Sequence, residues 1–155
     1  MARNHYAVLG LGSFGAKLAV ALARAGNTVL VVDIDQQRVD DLRDKVTEAI
    51  IADVSNEEVV RELNVRKFDA VILGMSSHFE DQVLALTLLK QEGVRKVIVK
   101  ANTTIQERIL FRLGADEVFQ PEQDVAERLA RRLTMDNITD LFEFKGSAIA
   151  GVTVP

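Results

Sequence analysis

Tyr6-Ala7-Val8-Leu9-Gly10-Leu11-Gly12-Ser13-Phe14-Gly15 opens the chain as an apolar run that breaks into glycines spaced G-x-G-x-x-G. An alanine-rich helical stretch follows, then Thr28-Val29-Leu30-Val31-Val32-Asp33, a second apolar run that ends on an acid. Strand, glycine turn, helix, strand and acid, in that order, predict a βαβ unit that holds a nucleotide.

Each residue type has a physical reason to stand where it does. Gly10 permits a tight turn out of the first strand, Gly12 keeps side chains away from a pyrophosphate, and Gly15 lets the helix approach the sheet closely. Main-chain N–H groups in the first helical turn, together with the positive end of the helix dipole, then face the phosphates. Asp33 closes the second strand, where its carboxylate accepts from both ribose hydroxyls and repels a 2′-phosphate. Asp35 competes with it for the roles of ribose ligand and helix cap. The ribose role goes to Asp33 because it ends the strand.

Composition bounds the rest. A chain of 155 residues, 48% hydrophobic and 27% charged, is that of one soluble globular domain. No apolar run reaches the ~18 residues that cross a bilayer, and Met1-Ala2-Arg3-Asn4-His5 is no signal peptide. A cytoplasmic protein is expected, with no direct membrane insertion. There is no cysteine, so disulfides and thiolate metal sites are excluded, and His5 and His78 alone make no metal cluster. A net charge of −4 gives no general attraction for nucleic acid.

Beyond Asp33 the chain alternates helix-like and strand-like blocks. Residues 35 to 45 read as a helix with Val39 and Leu42 inward and a solvated charged face that includes Arg38. Ala49 to Ala52 reads as a third strand, ending at Asp53. Ser55 or Asn56 caps a helix over Glu57 to Leu63, and Asp69 to Gly74 is a fourth strand. Phe79 to Glu92 is a helix whose core face is read from Val83, Leu84, Leu86, Leu88 and Leu89, ended by Gly93. Val97 to Val99 is a fifth strand. Thr103 or Thr104 caps a helix carrying Ile105, Ile109, Leu110 and Leu113, and Glu117 to Phe119 is a short sixth strand. A sixth helix runs from Pro121 to about Leu133.

Six strands alternating with helices predict an α/β, Rossmann-like, doubly wound parallel sheet in the order 3-2-1-4-5-6. Ligands then lie beyond the carboxyl ends of the strands. The glycine loop with Ser13 and Phe14, Asp33 and Ile34, Asp53, Gly74 to Ser76 through Met75, and Lys100 are placed there. Thr134-Met135-Asp136-Asn137 reads as a polar break, so residues 1–134 form the nucleotide-binding domain and 135–155 a linker tail. Leu141, Phe142 and Phe144 in the tail, and the closing Gly151-Val152-Thr153-Val154-Pro155, point to an absent second lobe or a partner surface.

Val8 to Gly15, Val31-Val32-Asp33-Ile34-Asp35, Gly114-Ala115-Asp116-Glu117-Val118-Phe119-Gln120-Pro121-Glu122 and the closing segment resemble the KTN/RCK (TrkA-N) domain family. Those domains are cytoplasmic regulators of potassium channels and of Ktr and Trk transporters. The resemblance covers essentially the whole chain and implies a sensor of ATP, ADP or NAD(H), not NADP, rather than a catalyst. It implies a homodimer that builds a ring, commonly an octamer, docked on a membrane-embedded potassium-translocating subunit. By position, Gly10, Gly12 and Gly15 would contact phosphates, Asp33 the ribose, and Asp53 and Val54 the adenine. Lys100 and Arg108 are the basic residues near the phosphates. Relatives that respond to ATP often carry arginine where this chain has Ser13. On the sensor reading, motion is expected to pass through a hinge beyond Leu133 and helix-turn-helix residues 126 to 144.

Two other readings of the same residues stand beside this one. A small NAD-dependent oxidoreductase would need a proton carrier, and His78 is the only candidate. A nucleotide-independent module would use the glycines as turn residues alone.

Overall fold

The computed structural model describes residues 3–75 and 78–145, with side chains described through residue 136. Ser76, the side chains of Leu141, Phe142 and Phe144, and the closing segment 146–155 lie outside the described residues.

Two compact units divide the chain, Met1–Phe119 and Gln120–Pro155. The first contains β1 (His5–Leu9), α1 (Ser13–Arg24), β2 (Thr28–Asp33), α2 (Gln36–Leu42), β3 (Glu48–Ile51), α3 (Glu57–Leu63), β4 (Ala70–Leu73), α4 (Phe79–Gln91), β5 (Val97–Lys100), α5 (Thr104–Arg112) and β6 (Glu117–Phe119). The six strands are hydrogen-bonded in the order β3-β2-β1-β4-β5-β6 and every pairing is parallel, as expected from the alternation of strands and helices.

The sheet divides the core in two. Val8, Val29, Val31 and Ile72 pack with Ala19 of α1 and with Val39 and Leu42 of α2. Ala7, Leu9, Leu30, Val32, Val71 and Leu73, the alternate positions of the same strands, pack with Leu63 of α3, Leu86 and Leu89 of α4, and Leu110 of α5. Because β1, β2 and β4 are covered on both faces, they read as unbroken apolar runs.

Several local readings are corrected. α2 ends at Leu42 rather than Lys45, because Thr47 Oγ1 accepts from Val29 N at 3.0 Å and draws the chain back toward the sheet. The core face of α4 is Gln82, Ala85, Leu86 and Leu89, while Leu84 stands 45% exposed. That stripe has the i, i+3, i+4, i+7 spacing of a single helical face. Leu86 and Leu89 are buried as expected and Leu88 packs against the core, whereas Leu84 lies off it and Gln82 and Ala85 join it. In α5 only Leu110 is buried, and Ile105, Ile109 and Leu113 are exposed.

The second unit holds α6 (Pro121–Lys145). The helix runs through the expected polar break, so the boundary at residue 134 and the hinge beyond Leu133 both fall inside it. Thr134 Oγ1 donates to Ala130 O at 2.9 Å, satisfying the hydroxyl within the helix.

Candidate functional site

β1 lies between β2 and β4, so the chain leaves the central strands toward opposite faces at their carboxyl ends. A crevice opens at such a point. Its floor is main chain. Gly10 has φ +98°, a conformation L side chains rarely adopt, and its N–H donates to Val32 O at 2.9 Å. A Cβ at Gly10 would stand 2.5 Å from Met75 N. A Cβ at Gly15 would stand 2.1 Å from Gly10 O, and one at Gly74 2.8 Å from the same oxygen. Gly10, Gly15 and Gly74 therefore form a backbone junction between the turn, α1 and the end of β4. Gly12 is different: a Cβ there meets nothing within 4 Å.

Asp33 locks the turn to β2. Its Oδ2 accepts from Leu11 N at 2.6 Å and its Oδ1 from Asp35 N at 2.8 Å, with the residue only 8% exposed. Each oxygen keeps a further lone pair for a ligand. Asp35 takes the cap role, accepting from Gln37 N and Arg38 N at the start of α2. α3 and α5 are capped by Asn56 and Thr103, whereas α1 starts at Gly12 with no side-chain cap and no acid in its first turn. Its first-turn N–H groups stay available to an anion.

Two adjoining cavities share Gly10, Asp33, Arg38 and Met75. The smaller, about 180 Å³, is completed by Leu11, Gly12, Ser13, Gly74 and Lys100. The larger, about 350 Å³, is completed by Val32, Ile34, Ala52, Asp53, Val54, Ser55, His78 and Asp81. One end is thus glycine main chain with a lysine, and the other carries Ile34, 70% exposed, opposite the segment after β3. Asp53 Oδ1 accepts from Ser55 Oγ at 2.6 Å and from Ser55 N at 2.9 Å. Those two bonds hold the Asp53 carboxyl below its ordinary range, against a smaller opposing effect of burial.

Most of the expected site residues meet here. Gly10, Gly12, Ser13, Asp33, Ile34, Asp53, Val54, Gly74, Met75 and Lys100 line one or both cavities. Phe14, Gly15 and Arg108 line neither. The Phe14 ring packs on Phe119 with centroids 4.7 Å apart, in an apolar hollow with Leu18 and Ile98. Gly15 is consumed in the backbone junction. Arg108 is exposed a turn into α5, past the end of β5.

Arg38, expected on a solvated face, lines both cavities, with Nη1 3.9 Å from Asp33 Oδ2. Its position in the first turn after a strand that ends on the crevice is the signal that would have found it. Leu11 contributes through its N–H alone, which no side chain announces. His78 precedes α4 at the rim, 76% exposed in its side chain, with Nδ1 3.9 Å from Asp81 Oδ2, beyond hydrogen-bond distance. Among the described residues no cluster of histidine and acids could hold a metal, and no helix is long and apolar enough to cross a membrane.

The comparisons with known proteins agree with this architecture. The chain is 37% identical over 147 residues to Ktr system potassium uptake protein A of Vibrio alginolyticus, covering 95% of this chain and 66% of that protein. It is 34% identical over 141 residues to Ktr system potassium uptake protein C of Bacillus subtilis, covering 91% of this chain and 64% of that protein. The chain therefore spans just under two thirds of the length of these curated relatives. Among solved structures, the NAD(P)-binding domain of an exopolyphosphatase-related protein from Archaeoglobus fulgidus is similar. It matches with a TM-score of 0.74 at 25% identity, over 84% of this chain and 98% of that one. Residues 6–121 match the TrkA-N domain model, and the chain belongs to the TrkA-N domain family.

Proposed function

We propose that this chain is the nucleotide-sensing part of a regulatory subunit of a potassium uptake system, taking an adenine nucleotide in the crevice described above. The observation that carries this is the pairing of a side-chain-free, uncapped helix start at Gly12 with the Asp33 carboxylate, across one continuous crevice. The phosphates lie on the N–H groups after Gly12, with Lys100 as counter-charge, the ribose on Asp33, and the adenine between Ile34 and Val54. ATP, ADP or NAD(H) fits this assignment, and the Asp33 charge disfavours the 2′-phosphate of NADP.

No catalytic step is assigned to the crevice. Among the described residues the exposed His78 has no partner within hydrogen-bond distance to orient it as a base, as nucleophile–base arrangements require. The similarity to Ktr potassium uptake proteins supports a regulatory role instead. On this reading the chain pairs with a second copy and assembles into a ring, commonly of eight, on the cytoplasmic side of a membrane-embedded potassium-translocating subunit. The bound nucleotide acts by differential affinity for two ring shapes, since one held equally by both shifts nothing.

The test is thermal unfolding with ATP, ADP, AMP, NAD and NADP. A ligand at 100 times its dissociation constant adds about 2.7 kcal/mol. Stabilisation by at least one of the first four and not by NADP is expected. No shift with any of them refutes the sensor assignment, and an equal shift with NADP refutes the role given to Asp33.

A further inference from the structure

Among the described residues, the buried polar or charged side chains are Asp33 and Gln82. Asp33 belongs to the crevice by direct contact. Gln82, 1% exposed on the core face of α4, does not line it. Its neighbours on that face, Ala85, Leu86 and Leu89, are apolar, and packing alone would place an apolar residue here too.

The carboxamide serves main chain on two strands. Gln82 Nε2 donates to Met75 O, in the exit from β4, and to Lys100 O, at the end of β5. An amide nitrogen carries two hydrogens, so both are used. The β4–β5 pairing stops at Leu73 opposite Val99. Gln82 thus supplies from a side chain the rung that the strands no longer make.

Both acceptors belong to residues that frame the smaller cavity. Met75 main chain stands against Gly10, where a Cβ would meet Met75 N at 2.5 Å, and Lys100 lines the cavity across from Gly12 and Ser13. One amide therefore links the strand that carries the lysine to the wall that abuts the glycine turn.

We propose that Gln82 is a positioning residue for the phosphate end of the crevice, setting the separation of Lys100 from the Gly10–Ser13 turn. The inference rests on the nucleotide reading and deepens it. Met75 lines both cavities, but Lys100 lines only the smaller one, so the amide acts on the phosphates through Lys100 and not on the nucleoside.

The experiment measures adenosine and ADP affinities of the full chain by calorimetry, for the wild type, Gln82→Leu and Gln82→Glu. Gln82→Leu removes both donors, and Gln82→Glu sets an acceptor against two carbonyls. Both variants are expected to lose about tenfold or more in ADP affinity, the worth of one hydrogen bond to a charged group, with adenosine affinity unchanged. Equal losses for the two ligands, or none, overturn the proposal. In a Lys100→Ala background Gln82→Leu should add no further loss, and an undiminished one also overturns it. The wild type gives an answer that no folding defect can mask. The Gln82 side-chain amide resonances should shift on adding ADP and stay put on adding adenosine, and equal responses contradict the assignment. A wild-type protein that binds neither ligand refutes the nucleotide reading itself.

Discussion

Gly12→Ala separates binding from folding more cleanly than any other single change in the glycine turn. Gly12 has φ −65° and ψ −174°, open to alanine, and the added Cβ meets no atom within 4 Å. Reduced freedom of the unfolded chain favours the variant by about 0.4–1 kcal/mol. Alanine is a poorer helix cap than glycine by a similar amount, so the two effects nearly cancel. The unliganded variant should therefore melt within about 1 kcal/mol of the wild type. The new methyl group does enter the phosphate end of the crevice. If it displaces a phosphate from two main-chain donors, affinity falls by roughly a hundredfold at about 1.5 kcal/mol each. At an ADP concentration 100 times the wild-type dissociation constant, the wild type gains about 2.7 kcal/mol and the variant only about 0.4. With about 2–4 °C per kcal/mol for a chain of this size, that is roughly 5–11 °C against about 1 °C. Gly15→Ala is the control, because its Cβ would stand 2.1 Å from Gly10 O and must lower the melting temperature without any ligand. A Gly12→Ala protein that keeps the full ADP shift, or one as unstable without ligand as Gly15→Ala, refutes the reasoning.

Other outcomes follow from the same geometry. Asp33→Asn places an amide hydrogen pair near the N–H of Leu11 or Asp35, so urea denaturation should show a loss of about 1–3 kcal/mol together with lost nucleotide binding. Ser55 holds the Asp53 carboxyl below its ordinary range. That stabilisation is present above the unfolded-state value and is lost as pH falls through the folded one. The stability gap between wild type and Ser55→Ala should therefore close in acid, below about pH 4, and a gap that widens there contradicts the sign. On α4, Leu86→Ala should cost about 2–5 kcal/mol in denaturant unfolding and Leu84→Ala within about 0.5, and equal costs would reject the observed core face.

The fold was legible where local chemistry and tertiary role coincide. β1, β2 and β4 are buried on both faces and appear as continuous apolar runs. The span of α3, Glu57 to Leu63, was readable because Ser55 or Asn56 with Glu57 and Glu58 marks its start; the structure takes Asn56 as the cap and ends the helix at Asn64 in a left-handed conformation. Where polarity and burial part company, the pattern misleads. Gln82 looks like a surface residue and is buried because two carbonyls need its amide, whereas the apolar Leu84 beside it stands exposed. Thr134 to Asn137 looks like a break, but contains neither glycine nor proline, and the helix passes through. In the crevice, Gly10 and Asp33 announced themselves by spacing. The Leu11 N–H is invisible in side-chain chemistry, and Arg38 was hidden among charges that do face solvent.

The most direct measurement is a crystal structure of the full chain grown with ADP. The account predicts the diphosphate on the N–H groups after Gly12 with Lys100 beside it, the ribose hydroxyls on Asp33, and the adenine between Ile34 and Val54. ADP bound elsewhere, or a crevice left empty at saturating ADP, would contradict it.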